Sequence, residues 1–380
     1  MENFNLKSFK EFNKNSLEVN EKHRKINLKI YGGGKFAQEI LRALKRENWA
    51  YVDLYSSSAS ESIGKKPENG DFSYKAIERV LDLEEMKNQN RFNTHNSLDS
   101  FLEKIEETEF IFFASGPHIN YSNSGTIRGR GSENFYHILF TKTLTKLEKF
   151  CKELKNRRYN GNLWILSNPV GPLCLAAKEF EATQYDKIGS PTVDGFRAAK
   201  LIAKILNNNP EVREKIGSIT YKNIEKIPIL GEHHTPIYLF ESITIKNSKG
   251  NLYKLYNVFP KAKKRFFQDR FKRELKDIAI ETMISSDKLK TGYSEAPETI
   301  VRVLKSIAYN LPLQNFESAY IWNSDFNAYL MDVVKYNLQK KKYELEDNKP
   351  KFNNKIKKRL KSQAEAQRNL VYSTLQVHKI

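Results

Sequence analysis

The chain has 380 residues, of which 39% are hydrophobic and 12% are aromatic, so it can bury a core and is not wholly disordered. Its two cysteines, Cys151 and Cys174, form neither a disulfide framework nor a metal-spaced pair. We find no apolar run near the roughly 20 residues that span a bilayer, and no signal-peptide pattern after Met1. We therefore expect a cytoplasmic protein without a membrane partner or a metal site.

The formal net charge is +19, which also fits a nucleic-acid partner. Because the basic residues are dispersed along the chain, solvated surfaces are the favoured interpretation. The basic stretch 261–281, with interleaved phenylalanines, has the same two interpretations, and an amphipathic helix is favoured. Residues 1–25 are predicted to form a polar arm, and residues 346–380 a basic tail or helix.

The first predicted strand covers residues 26–31 and is followed at once by a glycine turn and a helical pattern. Gly32, Gly34 and Ala37 have the G-x-G-x-x-A spacing of a dinucleotide-binding turn. Gly32 would permit the tight turn, Gly34 would let a pyrophosphate approach the backbone, and Ala37 would let the helix pack closely. The N–H groups at the start of the helix would bind phosphate.

The second predicted strand, residues 50–53, ends in Asp53, about 20 residues after the glycine turn. An acid at this position is expected to bind the adenosine ribose and favours NAD over NADP. The alternative is a surface aspartate beside an ordinary glycine-rich turn.

Two nearly continuous apolar runs, residues 109–114 and 162–167, predict buried parallel strands. Gly116 follows the first run and Asn168 follows the second. Between them lies a polar loop containing Arg128 and Arg130, which is typical of a lid. Further patterns predict helices at 74–86, 98–105, 135–154 and 298–309, hairpin strands at 237–245 and 252–258, and a strand and helix at 320–336.

These elements predict an α/β fold with a doubly wound, Rossmann-type parallel sheet followed by an α+β substrate domain. The nucleotide-binding domain would cover residues 26–170 and the substrate domain residues 171–345. The active site would lie in the cleft between them.

Three chemically active side chains lie in the predicted substrate domain. If a helix begins near Thr192, then Asp194 and Arg197 share its first turn. His233 follows an apolar run. A buried carboxylate that orients a histidine, beside an arginine that holds an anion, makes a proton-transfer site. The alternatives are a core histidine, with His234 as a competing imidazole, and an aspartate that only pairs with Arg197.

The chain resembles a divergent member of the lactate/malate dehydrogenase family. Seven segments between residues 26 and 310 match the family in order, and they are Gly32-x-Gly34-x-x-Ala37, Val52-Asp53, Phe113-Ala-Ser-Gly116, Ser167-Asn-Pro-Val170, Val193-Asp-Gly-Phe-Arg197, Leu230-Gly-Glu-His233 and Gly292-Tyr-Ser294.

The resemblance implies an NAD-dependent interconversion of a 2-hydroxy acid and its 2-oxo acid. His233 would be the general acid/base, and Asp194 would hold its imidazole. Arg197 would bind the substrate carboxylate with its two-pronged guanidinium. Gly116 would contact the cofactor. The resemblance also implies a dimer or tetramer.

The remaining substrate contacts implied by the resemblance are Asn168, Ser294 and the loop arginines. Arg130 keeps better register with the next helix and is preferred to Arg128 as the residue that polarises the carbonyl. The loop is longer than in the family, and His234 stands where the family has a glycine. These departures leave open an inactive NAD-binding protein of the same fold. A further alternative is an NAD-dependent glycosidase on a related fold, which would need a metal held by Cys or His ligands, and Cys174 has no partner at a suitable spacing.

Overall fold

The computed structural model describes residues 23–57, 77–78, 81–116, 133–233, 235–259, 267–275, 295–313, 317–345 and 352–378. The predicted polar arm lies outside this set except for residues 23–25.

The strands of the described chain are short and most are buried. In chain order they are β1 (Ile26–Tyr31), β2 (Ala50–Tyr55), β3 (Phe92–His95), β4 (Phe110–Phe113), β5 (Asn162–Ile165), β6 (Ile188–Thr192), β7 (Ile224–Lys226), β8 (Ile229–Leu230), β9 (Ile237–Tyr238), β10 (Thr244–Lys246), β11 (Leu252–Lys254), β12 (Ser318–Asn323), β13 (Ala328–Asn337) and β14 (Lys342–Leu345).

The α-helices alternate with the strands in the first half of the chain. They are α1 (Lys35–Leu44), α2 (Glu84–Asn88), α3 (Leu98–Phe101), α4 (Glu133–Asn156), α5 (Val170–Glu179), α6 (Asp194–Asn207), α7 (Pro210–Ile216), α8 (Leu255–Val258), α9 (Glu295–Ala308) and α10 (Asn354–His378). Residues 267–275 are also helical.

The main sheet has nine strands in the order β3-β2-β1-β4-β5-β6-β12-β13-β14. The six strands from β3 to β6 run parallel, with the strand order reversing at β1 and β4. This is the doubly wound arrangement that the sequence predicts, and it confirms the fold class. The parallel sheet extends to Thr192, beyond residue 170, because β6 pairs with β5.

The last three strands of the sheet correct one prediction. Residues 320–336 were expected to form a strand and a helix, but they form the antiparallel pair β12 and β13. The first seven residues of β13 are all buried, so its sequence lacks the alternation that marks a half-buried strand. Strand β12 pairs antiparallel with β6, so the second half of the chain completes the sheet of the first.

The core consists of two main apolar clusters on the two faces of this sheet. Alternate residues of β4 face opposite sides: Ile111 and Phe113 pack in the cluster that includes α4 and α5. Phe110 and Phe112 pack in the cluster that includes α1 and α9. A strand covered by helices on both faces must be apolar at successive positions, which explains the continuous run in the sequence.

Several other predicted elements are confirmed. Helices α4 and α9 form where the patterns indicated. The hairpin predicted from residues 237–245 and 252–258 is confirmed only for its central part, because β10 pairs with β11 while residues 240–242 form a 3₁₀ turn and residues 255–258 form helix α8. In the basic stretch, Phe267 and Phe271 are buried, as expected for a packed amphipathic helix. None of the described helices is long and apolar enough to cross a membrane.

The C-terminal basic segment includes α10, which packs against the protein. Leu360, Ala364 and Val371 lie on one face of this helix and are buried. Its other face is largely exposed. The helix brings polar side chains of its inner face to the carboxyl edge of the parallel sheet, where the candidate site lies.

Candidate active site at the carboxyl edge of the sheet

The carboxyl ends of the parallel strands gather the predicted site residues along one edge. Gly32 follows β1, Gly116 lies three residues after β4, and Asn168 three residues after β5. Asp194 lies two residues after β6. In open α/β sheets, ligands bind at this edge near the point where the strand order reverses.

The glycine turn has the tight geometry that its spacing predicts. Gly32 has a φ of +133°, and an added Cβ would lie 2.5 Å from the carbonyl oxygen of Ala114 after β4. An added Cβ at Gly33 would lie 2.8 Å from Cβ and Oγ of Ser56. The chain therefore requires glycine at Gly32 both for its backbone conformation and for the approach of the two strand ends.

Helix α1 begins directly after the turn, with Gly34 as its N-cap. An added Cβ at Gly34 would contact no atom of the described residues within 4 Å. The first turn of α1 carries no acidic side chain. An acid there would repel an anion bound at the helix N-terminus. Ala37 is fully buried against the sheet, as predicted for close packing of this helix.

Asp53 lies within β2, where its carboxylate has partners on both neighbouring strands. The backbone N–H of Gly32 donates to the carbonyl of Tyr55, whereas Asp53 lies two residues deeper in β2. Its carboxylate accepts hydrogen bonds from Lys29 Nζ at 2.7 Å and Asn93 Nδ2 at 3.2 Å. His95 Nε2 is 3.3 Å away. These partners stand beside Asp53 on the neighbouring strands β1 and β3.

The surroundings of Asp53 stabilise its charged form. Burial alone would raise the pKa of Asp53, but hydrogen bonds from His95 and Lys29 and their charges lower it to about 2. Lys29 is itself buried, so Asp53 neutralises a cation inside the sheet. The sequence assigned this same carboxylate to the adenosine ribose, and that assignment stays a prediction.

The segments that carry Asn168 and Gly116 are joined at the edge through Ser167. The hydroxyl of Ser167 donates to the carbonyl of Ser115 at 2.8 Å and so ties the end of β5 to the end of β4. An added Cβ at Gly116 would be 3.8 Å from Ser167, an ordinary contact distance. The Asn168–Pro169 peptide is cis.

His233 and Asp194 meet although 39 positions separate them. The Nδ1 atom of His233 lies 2.7 Å from Oδ2 of Asp194. Asp194 is only 5% exposed and is the first residue of α6, where the helix dipole favours its negative charge. The His233 side chain keeps 23% of its surface exposed. A buried carboxylate thus orients a partly accessible imidazole, as expected from the sequence.

Arg197 lies one turn beyond Asp194 in α6 and is paired with an acid. Its Nε donates to Glu295 Oε2 at 2.9 Å, and Lys200 Nζ donates to Oε1 of the same carboxylate at 3.2 Å. Burial alone would raise the pKa of Glu295, but the hydrogen bond and charge of Arg197, with Lys200, lower it. Two cations and one anion leave this cluster with one net positive charge.

No sequence pattern indicated a role for Glu295, which is the first residue of α9 and lies far from Arg197 along the chain. The pattern Ser294-Glu295 offers no signal for this contact. Only the packing of α9 near α6 brings the carboxylate to the guanidinium.

Tyr238 in β9 is a buried phenol close enough to Asp194 and Arg197 to feel their charges, and the sequence did not indicate it. Its hydroxyl is buried and has no hydrogen-bond partner within the described chain. Burial raises the pKa of Tyr238 well above its usual value, the charge of Asp194 raises it further, and that of Arg197 lowers it. The phenol therefore shares an electrostatic environment with both α6 residues.

Three predicted site residues, Arg128, Arg130 and Ser294, lie outside the described residues. His234, the competing imidazole, does so as well. Cys174 is fully buried within α5. Across the described ranges, no group of three or more His, Cys, Asp and Glu side chains could hold a metal ion.

No protein-family model matches the sequence, and no curated protein matches it. Solved structures do match. A lactate dehydrogenase enzyme from a Medee basin deep-sea metagenome library aligns with a TM-score of 0.65 and 15% identity, over 92% of this chain and 99% of that one. The malate dehydrogenase of Cryptosporidium parvum gives 0.63 and 13%, over 93% and 99%.

A third match is the lactate dehydrogenase from Eimeria maxima with NADH and oxamate. It has a TM-score of 0.60 and 14% identity, over 95% of each chain. These similarities cover nearly the whole chain at low identity, and they agree with the strand order and the doubly wound sheet. The protein therefore has a divergent form of the lactate and malate dehydrogenase fold.

Proposed function

We propose that the protein is an NAD-dependent dehydrogenase that interconverts a 2-hydroxy acid and its 2-oxo acid. The observation that carries the proposal is the 2.7 Å contact between His233 Nδ1 and Asp194 Oδ2. This pair lies on the same edge of the sheet as a glycine turn that opens a helix.

The residues of the glycine turn fit a dinucleotide. Gly32 and Gly34 would let a pyrophosphate approach, and the N–H groups of the first turn of α1 would bind it. Ala37 would keep α1 close to the sheet, and Gly116 would border the nicotinamide side. When bound, NAD would supply or accept the hydride. We give Asp53 no part in this site, because its carboxylate is paired with Lys29.

His233 is proposed to move the proton. With Nδ1 held by Asp194, the other ring nitrogen, Nε2, would give a proton to the substrate oxygen in reduction and take it back in oxidation. The buried carboxylate of Asp194 would fix the tautomer and stabilise the imidazolium. Asn168 would hydrogen-bond the substrate oxygen or help to position His233.

Arg197 is proposed to bind the substrate carboxylate. Its Nε–H donates to Glu295, so the two terminal nitrogens of the guanidinium would form the fork for the substrate. The net positive charge of the Arg197, Lys200 and Glu295 cluster suits one more carboxylate. Arg130, or Arg128, would polarise the carbonyl, and Ser294 would line the pocket.

The direct test is turnover of a panel of 2-oxo acids, including pyruvate, oxaloacetate and bulkier members, with NADH and NADPH side by side. We expect NADH oxidation with at least one member and loss of that turnover in His233→Gln. NADH binding without turnover on a broad panel would favour a binding protein that kept the fold. Metal-dependent cleavage of a sugar phosphate would favour the glycosidase.

The resemblance also leads us to propose a cytoplasmic homo-oligomer, a dimer or tetramer. Light scattering on the purified full chain would measure its mass in solution. A monomer at the concentration used for turnover would contradict the oligomer without affecting the catalytic proposal.

A further inference from the structure

The C-terminal helix α10 holds the segment that carries His233 on both sides. Gln367 contacts Glu232, the residue before the histidine. Gln363 contacts Thr235, two residues after it. Because the two glutamines are four positions apart, they lie on the same face of the helix. One face of α10 therefore contacts the chain on both sides of His233.

The Gln367 side chain is only 3% exposed, and both of its polar atoms make hydrogen bonds. Its Nε2 donates to Glu232 Oε1 at 2.7 Å and to the carbonyl of Tyr329 at 2.9 Å. Its Oε1 accepts the backbone N–H of Tyr329 at 2.9 Å. This side chain joins β13 to the histidine segment, and the loss of any of these bonds would leave a buried polar group unpaired.

Gln363 makes the second contact, with the chain after His233. Its Nε2 lies 2.8 Å from both the carbonyl oxygen and Oγ1 of Thr235. Both bonds are in an exposed setting. Its Oε1, by contrast, is buried and has no hydrogen-bond partner within the described residues. Replacing the amide by an apolar side chain of similar length therefore removes the two exposed bonds and leaves no new buried polar atom without a partner.

Tyr320 in β12 completes the link from Glu232 to His233. The backbone N–H of His233 donates to the Tyr320 hydroxyl at 2.8 Å, and this hydroxyl donates to Glu232 Oε2 at 2.7 Å. A carboxylate that accepts from two donors, Tyr320 and Gln367, has both of its oxygens fixed. The position of the His233 backbone thus depends on a chain of buried bonds that ends on α10.

Two glycines make room for this arrangement. At Gly231, which has a φ of +90°, an added Cβ would lie 2.2 Å from Gln363 Oε1. At Gly171, near the start of α5, it would lie 2.4 Å from Gln367 Nε2 and 2.7 Å from Glu232 Oε1. The close packing of α10 against the site therefore depends on the absence of side chains at both positions.

We propose that Gln363 and Gln367 of α10, acting through Thr235, Glu232 and Tyr320, are positioning residues that hold the His233 imidazole in its catalytic orientation. This inference rests on the proposed function of His233. It makes the C-terminal helix part of the catalytic apparatus, although none of its side chains needs to touch the substrate.

We call the contacts of Gln363 with Thr235 and of Gln367 with Glu232 the clamp. The charge on Glu232 should make this clamp depend on pH. Burial raises the pKa of Glu232 to about 7, against the lowering effects of hydrogen bonds from Tyr320 and Gln367 and of the charge on His233. The Cys174 thiol of α5 also faces it, and Glu232 helps to raise the pKa of Cys174. Below pH 7 the protonated acid would carry an O–H donor on one oxygen, so its hydrogen bond with the Tyr320 hydroxyl, which also accepts the His233 N–H, would have to reverse direction or break.

The test compares Gln367→Met and Gln363→Met with Gln376→Met, a control at an exposed position of the same helix. We expect Gln367→Met to lower kcat roughly 10- to 100-fold with the 2-oxo acid, and Gln363→Met to lower it less. The Kd for NADH should not change. Loss of the amide donor should also move the Glu232 step in the pH profile of kcat to higher pH, because that hydrogen bond favours the charged carboxylate.

A second readout does not need turnover. The ring ¹⁵N signals of His233, identified by their loss in His233→Gln, should shift or broaden in Gln367→Met and Gln363→Met but not in Gln376→Met. Unchanged signals in both clamp variants would overturn the clamp, even if the protein turns over no 2-oxo acid. Shifted signals without wild-type turnover would support the clamp while contradicting the proposed function.

If Gln367→Met does not fold, Gln363→Met decides the matter through the same measurements, because its bonds are exposed. Equal kcat, pH profile and ¹⁵N signals in Gln363→Met and Gln376→Met would then contradict the clamp.

Discussion

The histidine end and the nucleotide end of the candidate site differ in how closely the structure follows the sequence. At the histidine end, His233 Nδ1 lies 2.7 Å from Asp194 Oδ2, as predicted, although the two residues are 39 positions apart in the chain. At the nucleotide end, the glycine turn forms as predicted, but Asp53 lies deeper in β2 and pairs with Lys29.

A sequence motif thus predicts the geometry of the backbone better than it predicts the partners of its side chains. Gly32 must be glycine because of its own φ and its close neighbour on β4, and that requirement is local. The role of Asp53 depends on which residues β1 and β3 place beside it, and Lys29 and Asn93 are not part of any motif. Four substitutions would test this contrast.

Asp194→Asn should have the largest effect on turnover, because it removes the carboxylate that contacts His233. We expect kcat for the 2-oxo acid to fall about 10³-fold or more, because an amide neither fixes the required tautomer nor stabilises the imidazolium. The Kd for NADH should stay the same. Asp325→Asn, at an exposed position, is the control. A fall of less than tenfold would show that Asp194 serves only as a helix N-terminal acid.

Arg197→Lys should raise the KM for the 2-oxo acid about 100-fold, since an ammonium cannot form the two-pronged contact with a carboxylate. The measurement is steady-state kinetics at saturating NADH. Lys200→Arg on the same helix keeps the charge near Glu295 and should change KM by less than about threefold. Unchanged kinetics in Arg197→Lys would remove Arg197 from the substrate site and leave only its pair with Glu295.

Gly32→Ala should lower the free energy of unfolding by about 2–4 kcal/mol, because the new Cβ would meet backbone atoms at a positive φ. Gly34→Ala is the matched control, since Gly34 has a φ of −67°. It should change stability by less than about 0.5 kcal/mol yet weaken NADH binding. Urea unfolding and NADH titration measure both effects. Full NADH affinity in Gly34→Ala would argue against a pyrophosphate at this turn.

Asp53→Asn should cost about 2 kcal/mol of stability at pH 7, because the pKa of Asp53 is lowered to about 2 from 3.8. A lowered pKa stabilises the fold above pH 3.8, and this contribution is lost as the pH falls through 2. The difference between variant and wild type in urea unfolding should therefore shrink below pH 3.8.

The same variant decides the role of Asp53 in binding. We expect less than a threefold change in the Kd for NADH, because the carboxylate is already paired within the sheet. A large loss of NADH affinity, with NADPH affinity kept or increased, would show that Asp53 binds the adenosine ribose, as the sequence predicts.

The doubly wound sheet, the glycine turn and the pairing of His233 with Asp194 could all be predicted from the sequence. Continuous apolar runs mark strands covered on both faces, and parallel strands deliver the residues after their carboxyl ends to one edge. That rule brings Asp194 and Asn168 to this edge whatever the intervening sequence.

The charged partners of these residues, in contrast, follow from how the folded elements pack. The pairing of Arg197 with Glu295, of Asp53 with Lys29, and of Glu232 with Gln367 joins residues that are not linked by any sequence pattern. Such contacts depend on the register of neighbouring strands and the packing of distant helices. A carboxylate can be recognised from its position in the chain, but its partner is chosen by the elements that pack around it.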